Sequence, residues 1–199
     1  DGYNTNGSEN LERLNWFSAR SAWQVYGCYL QLDVDRNGML SKSEFKRLSG
    51  GSLTDVFVNH TFQEYRMYAS PSGEMEMDYK TFLDFILAME NKSTPQAVKY
   101  LFKILDINHC GYLTVSTLTY FFKAVHDKML DLGHDVHAIH VKDVVQNEIF
   151  DMVKPKLPDR ITIEDLLKSK CAHTVFSILI DVNLFWRYDN RESWQSPRS

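Results

Sequence analysis

Within residues 33–44, "DVDRNGMLSKSE", oxygen-bearing side chains stand at positions 33, 35 and 37 and again at 41 and 44. Asp33, Asp35 and Asn37 occupy positions 1, 3 and 5 of a twelve-residue stretch. Gly38 occupies position 6 and Glu44 position 12. A turn between two helices needs one or two such residues. The full set, with the Glu six residues after the Gly, matches the loop pattern D-x-[DN]-x-[DN]-G-x5-E that wraps hard oxygen ligands around one calcium ion. In this reading Asp33, Asp35 and Asn37 donate side-chain oxygens and Met39 its backbone carbonyl. Ser41 acts through water, and Glu44 binds through both oxygens. Arg36 adds a local positive charge that opposes the ion. Three carboxylates place the expected affinity in the sensor range, about 10⁻⁷ to 10⁻⁵ M.

Such a loop works only between two helices. Val25, Tyr26, Tyr29, Leu30 and Leu32 give an apolar face leading into Asp33, and Phe45 and Leu48 continue a short helix that "SGGS" ends. Further helices are expected over Thr54–Tyr68, around Phe82, Phe85, Ile86 and Met89, and from Pro95 to Leu105. For the last of these Thr94 is the cap, and Pro95 suits the first helical position. The pattern continues over Val115–Met129, Val141–Val153 and from Ile163 to Lys168. Val175, Ile178, Leu179, Val182 and Trp186 make a final apolar stripe. Helices broken by short loops at roughly regular intervals call for a test of repetition.

A second loop, "DINHCGYLTVST" at 106–117, keeps Asp106, Asn108, Gly111 and Leu113. Cys110 stands where an oxygen ligand belongs, and Thr117 replaces the closing Glu. A thiol is a soft ligand for a hard ion, so this loop is expected to keep the backbone shape without calcium. Two weaker echoes, "SPSGEMEMDYKTF" and "KPKLPDRITIEDL", place Met77 and Ile161 as inward strand residues. Ser and Thr in the first, and Lys154 and Pro158 in the second, stand where ligands should be. The expected fold is all-α: four EF-hand-like helix–loop–helix units in two pairs, with Leu40 pairing to Met77 and Leu113 to Ile161 through short strands. The expected organisation is an N-terminal segment over 1–20, a first pair over 21–90, a second pair with a C-terminal helix over 91–190, and a tail over 191–199.

Composition narrows the function. The 199 residues carry a formal charge of −4 with no basic block, which disfavours nucleic acid. No run of 18 apolar residues argues for a membrane span, and no signal peptide is visible. The chain begins with Asp, as a piece of a longer chain would. Cys28, Cys110 and Cys171 are odd in number and widely spaced, as reduced thiols in a cytosolic or nuclear protein would be. His134, His137 and His140 lie in a loop-like stretch that lacks a fourth zinc ligand. Cys171 and His173 lack an orienting third group. Hydrolase, kinase and nucleotide-loop signatures are absent, so the chain reads as non-enzymatic. Trp16, Phe17, Phe185 and Trp186 read as caps on the core.

Longer stretches carry a resemblance. "NWFSARSAWQVYGCYLQLDVDRNGMLSKSEF", "MDYKTFLDFILAMENKSTP", "YLFKILDINHCGYLTVSTLTYFF", "NEIFDMVKPKLPDRITIEDLL" and "ILIDVNLFWRYDNRE" together resemble the B'' class of regulatory subunits of protein phosphatase 2A. Within that class they are most similar to the gamma, or TONNEAU/FASS-like, branch. The resemblance spans Asn15 to Glu192 and covers the C-terminal part of longer family members. "YASPSGE" and "GHDVHAIH" depart from it. It implies a non-catalytic targeting subunit that assembles with a HEAT-repeat scaffold subunit and the catalytic subunit. It also implies a cytoplasmic place at centrosome and spindle, with a further location in the nucleus, and centrosomal proteins as additional partners. The family's calcium ligands fall on Asp33, Asp35, Asn37, the Met39 carbonyl and Glu44, giving one Ca²⁺ site. The competing expectations are a calcium sensor acting alone and a centrosomal adaptor.

Overall fold

The computed structural model describes residues 19–191. Trp16 and Phe17, and the segments 1–18 and 192–199, lie outside the described residues. Helix α1 (Ala19–Leu32) runs into the first loop, which leaves through strand β1 (Leu40–Ser41) and the short α2 (Lys42–Phe45). A 3-10 turn at Leu48–Gly51 separates α2 from α3 (Asp55–Glu64). Strands β2 (Tyr68–Ala69) and β3 (Met75–Met77) then lead to α4 (Tyr79–Glu90). The second pair comprises α5 (Pro95–Leu105), β4 (Tyr112–Thr114) and α6 (Val115–Asp131), then a π-helix at Asp143–Ile149 with α7 (Phe150–Val153). Strand β5 (Arg160–Thr162) and α8 (Ile163–Ser169) complete it, followed by α9 (Ala172–Ile180) and α10 (Val182–Asp189).

Short polar side chains set the starts of these helices. Thr54, Asp78, Thr94, Thr114, Thr162 and Asp181 each accept a hydrogen bond from a backbone N–H in the first turn of the helix they cap. Each satisfies a donor that the helix itself leaves free. Pro95 follows Thr94 at the first position of α5. The strands pair as the loop pattern requires. Leu40 faces Met77 in β1–β3, and Leu113 faces Ile161 in β4–β5, both antiparallel. All four side chains are fully buried.

One contiguous cluster of buried side chains runs through both pairs. In the first, Phe45 meets Phe85 edge-on at 4.9 Å; in the second, Phe122 meets Phe185 at the same distance. Burying each such ring stabilises the fold by roughly 2–3 kcal/mol, and the edge-to-face geometry adds about 0.5–1.5 kcal/mol. The pairs are also joined by backbone. Thr54 N donates to Ile180 O at 3.1 Å, and Val182 N to Ser52 O at 3.0 Å. Tyr65 and Tyr100 stack at 4.0 Å, with the Tyr65 hydroxyl donating to the Tyr100 carbonyl. Among the described residues no helix is long and apolar enough to cross a membrane.

Three elements differ from the sequence expectation. The helix expected over Thr54–Tyr68 ends at Glu64, because Tyr65 turns extended (φ −107°, ψ 162°) and Tyr68 joins a third strand against β3. The stripe from Val175 to Trp186 belongs to two helices, broken at Asp181, whose backbone is extended (φ −138°, ψ 120°). The helix expected over Val141–Val153 is in large part a π-helix.

Candidate metal centre

Asp33 leaves the last turn of α1, and Glu44 enters the first turn of α2, so the two helices fix the ends of the loop. Between them the backbone folds around the carboxylates. Asp33 accepts from Asn37 N (3.1 Å) and Gly38 N (3.0 Å). Asp35 accepts from Asn37 N at 3.0 Å, and the Asn37 side-chain oxygen accepts from Met39 N at 2.7 Å. Glu44 spans the loop. Its Oε1 accepts from Val34 N (2.7 Å) and Asp35 N (3.4 Å), and its Oε2 from Ser41 N (2.9 Å) and Ser41 Oγ (2.8 Å). Gly38 takes φ +82°, the left-handed turn for which a residue without Cβ is suited.

The charges converge. One oxygen from each of Asp33, Asp35 and Glu44 lies within 4.8 Å of the others. Calcium–oxygen distances of about 2.3–2.6 Å put ligands on opposite sides of the ion about 5 Å apart, so these oxygens fit around one such ion. The donor set is all hard oxygen, as calcium requires. Asp33 and Glu44 are buried and Asp35 is exposed. Burial pushes the Glu44 carboxyl up, but bonds from Ser41, Val34 and Asp35 outweigh it and hold the pKa below its ordinary value. Glu44 is therefore charged at neutral pH.

Of the five expected ligands, the side chains of Asp33, Asp35 and Glu44 are brought together. The Met39 carbonyl belongs to the same loop. The Asn37 amide instead presents its nitrogen, donating to Asp35 Oδ2 (3.1 Å) and to Glu76 Oε1 (3.2 Å). Offering its oxygen to an ion requires the other face of that amide. Two residues outside the motif also reach the loop. Tyr29 donates to the Gly38 carbonyl at 2.7 Å, anchoring the turn to α1. Burial, then the charges of Asp33, Asp78, Glu44 and Glu76, push its hydroxyl well above the ordinary tyrosine range. Glu76 arrives from β3. The pairing of Leu40 with Met77, expected from sequence, already contained the signal that would have found it.

In the second loop, residues 106–117, the bonds centre on Asp106. Asp106 accepts from Cys110 N (3.1 Å) and Gly111 N (2.7 Å). The Cys110 thiol lies 3.4 Å from Asp106 Oδ1 and 3.2 Å from the Tyr112 carbonyl, so the loop's own sulfur fills the ligand position. Thr117 bonds to Thr114. Among the described residues, no group of three or more converging His, Cys, Asp or Glu includes this loop or the histidines 134, 137 and 140. His134 packs on Trp186 at 4.7 Å, while His137 and His140 are exposed.

No protein-family model matches the chain. It is similar to the gamma-type B'' regulatory subunit of serine/threonine-protein phosphatase 2A from Xenopus tropicalis, with 52% identity over 185 residues, 93% of this chain and 40% of that protein. The Homo sapiens protein of the same name is 50% identical over 186 residues, 94% of this chain and 39% of that protein. TON2 of Arabidopsis thaliana, a probable B'' regulatory subunit of the same phosphatase, is 43% identical over 181 residues, 90% of this chain and 37% of that protein. The chain thus spans about 40% of the length of these curated relatives. A solved structure described as a PP2A PR70 holoenzyme, labelled diCa, matches with a TM-score of 0.74 at 22% identity, over 86% of this chain and 61% of that one. At that identity the likeness is one of fold.

Proposed function

The chain belongs by sequence to the B'' regulatory subunits of protein phosphatase 2A, and from that premise we propose that it is a non-catalytic regulatory module of a phosphatase 2A holoenzyme. Its partners in this reading are the HEAT-repeat scaffold subunit and the catalytic subunit. It directs the enzyme to substrates in the cytoplasm, at centrosome and spindle, and in the nucleus. Its own residues supply shape and contact, and the phosphatase supplies the chemistry.

One calcium ion at Asp33, Asp35, Asn37, the Met39 carbonyl and Glu44 belongs to this reading. The observation that supports it is the convergence of three carboxylate oxygens within 4.8 Å at the junction of α1 and α2. A bound cation offsets their mutual repulsion, and the loop then holds α1 and α2 at a defined angle. Calcium regulates docking only where the bound and free forms meet the scaffold with different affinity.

The test is a calcium titration of scaffold binding by the full chain and by Glu44→Gln. The wild type is expected to bind more tightly as calcium rises, and Glu44→Gln to need at least about tenfold more calcium, having lost a charged ligand. Identical curves would leave the ion without a regulatory role. Absence of scaffold binding at any calcium level would overturn the phosphatase reading in favour of a sensor acting alone or an adaptor.

A further inference from the structure

Glu76 is a buried carboxylate with no cationic partner. It is 9% exposed. None of the ion pairs among the described residues includes it. Among the described residues its one side-chain hydrogen bond is accepted from the Asn37 amide of the neighbouring loop. Buried charges in proteins are paired or meet a metal ion, because leaving one unpaired is costly. Asn37 also bonds Asp35, whose oxygens converge with those of Asp33 and Glu44. Four carboxylates thus border one loop, and the exposed Arg36 is the cation within it.

The strand register explains how Glu76 gets there. β1 and β3 pair with Ser41 directly opposite Glu76, and directly opposed residues in a sheet put their side chains on the same face. Ser41 is position 9 of the metal loop, a position that contributes to the calcium environment but is neutral here. Resting on the calcium reading given above, we propose that Glu76 is an affinity-setting residue of the metal centre, contributed by the degenerate loop between α3 and α4. It supplies the negative charge that Ser41 does not. The degenerate loop between α3 and α4 would in this way serve the ion of the first loop.

The experiment is calorimetric calcium titration of the full chain as wild type, Glu76→Gln, Glu44→Gln, and Glu76→Gln combined with Ser41→Asp, with thermal melts of each in chelator. The Glu76→Gln change keeps an oxygen for the Asn37 amide and removes only the charge. Affinity of Glu76→Gln is expected to fall about tenfold, as calcium sites are tuned by ligand charge count, with the chelator melt unchanged or higher. The Ser41→Asp change returns the charge from β1 and still caps α2, so it should recover most of the loss. Wild type and Glu76→Gln binding calcium equally would overturn this inference and leave the calcium reading standing. A wild type that binds no calcium would overturn both. A fall in affinity accompanied by a lower chelator melt, and not recovered by Ser41→Asp, would assign Glu76 a purely structural role and also overturn the inference.

Discussion

Glu44 and Asp165 are each the last residue of a twelve-residue loop, and they make the same bonds. Glu44 ties Val34 and Asp35 to Ser41. Asp165 ties Lys156 N (3.1 Å) to Thr162 N (2.9 Å) and Oγ1 (2.7 Å). Both also complete a reciprocal cap at the helix start. The closing carboxylate is therefore a fold device before it is a ligand, and it persists in a loop with Lys154 and Pro158 at ligand positions. The motif made Glu44 legible in the sequence. It left Asp165 unread, because a ligand pattern scores metal donors and not caps. Burial pushes the Asp165 carboxyl up, but the bonds from Thr162 and Lys156 hold it below its ordinary value. A group with a depressed folded pKa contributes stability above its unfolded pKa, near 3.9 for Asp, and loses it as pH falls through the folded value. Asp165→Asn is accordingly expected to cost about 1 kcal/mol at neutral pH, with the gap to wild type closing below about pH 4. Denaturant titrations at several pH values read this directly; a gap independent of pH would show that the charge contributes nothing.

Asp181 is the joint between elements that periodicity could not see. Val175, Ile178, Leu179, Val182 and Trp186 keep one apolar phase across the break because α9 and α10 bury their sides against the same core. Apolar spacing reports burial, and a carboxylate that ends one helix and caps the next leaves it unchanged. Asp181 is 5% exposed and accepts from Leu184 N at 3.0 Å and from the Ser52 hydroxyl at 2.7 Å. Lys92 and Lys128 lie nearby. Burial pushes both amines down, and Asp181 opposes that shift. Asp181→Ala removes the α10 cap and leaves a buried hydroxyl without its partner, so it is expected to destabilise by about 2–4 kcal/mol. Asp181→Asn, which keeps an acceptor, should cost less. Urea denaturation measures both, and equal losses would contradict the capping role. The strand pairs were legible for the opposite reason: position 8 of each loop is fixed in the chain relative to the loop's turn and the helix that follows, so Leu40–Met77 and Leu113–Ile161 could be named without coordinates. The end of α3 at Glu64 and the π-helix at Asp143–Ile149 had no such anchor. Both depend on tertiary partners. Tyr68 is drawn into pairing with Glu76, and in the π-helical segment Glu148 accepts from the Tyr188 hydroxyl at 2.7 Å.

At the scale of the whole molecule, an ion held in the first pair acts on the second only if the two unfold together. Three features couple them. The buried cluster is continuous, with His60 of α3 packed on Phe121 of α6 at 5.6 Å. Residues 52–54 form backbone bonds with 180–182, and the Lys128 ammonium of α6 donates to the Leu53 carbonyl at 2.6 Å. A ligand that binds only the folded state stabilises it by RT ln(1 + [L]/Kd), about 2.7 kcal/mol at a hundredfold excess over Kd. If the fold is one cooperative unit, slow amide hydrogen exchange in α9 must report that gain as fully as exchange in α3, although α9 belongs to the other pair. The expected result is equal added protection in both helices when calcium is supplied, and equal loss in Glu44→Gln. Protection confined to α1–α4 would mean that the pairs open independently, and calcium could then tune only those partner contacts made by the first pair. Asp181→Ala, by cutting the link at residues 52 and 181, should shift the wild-type pattern toward that second one.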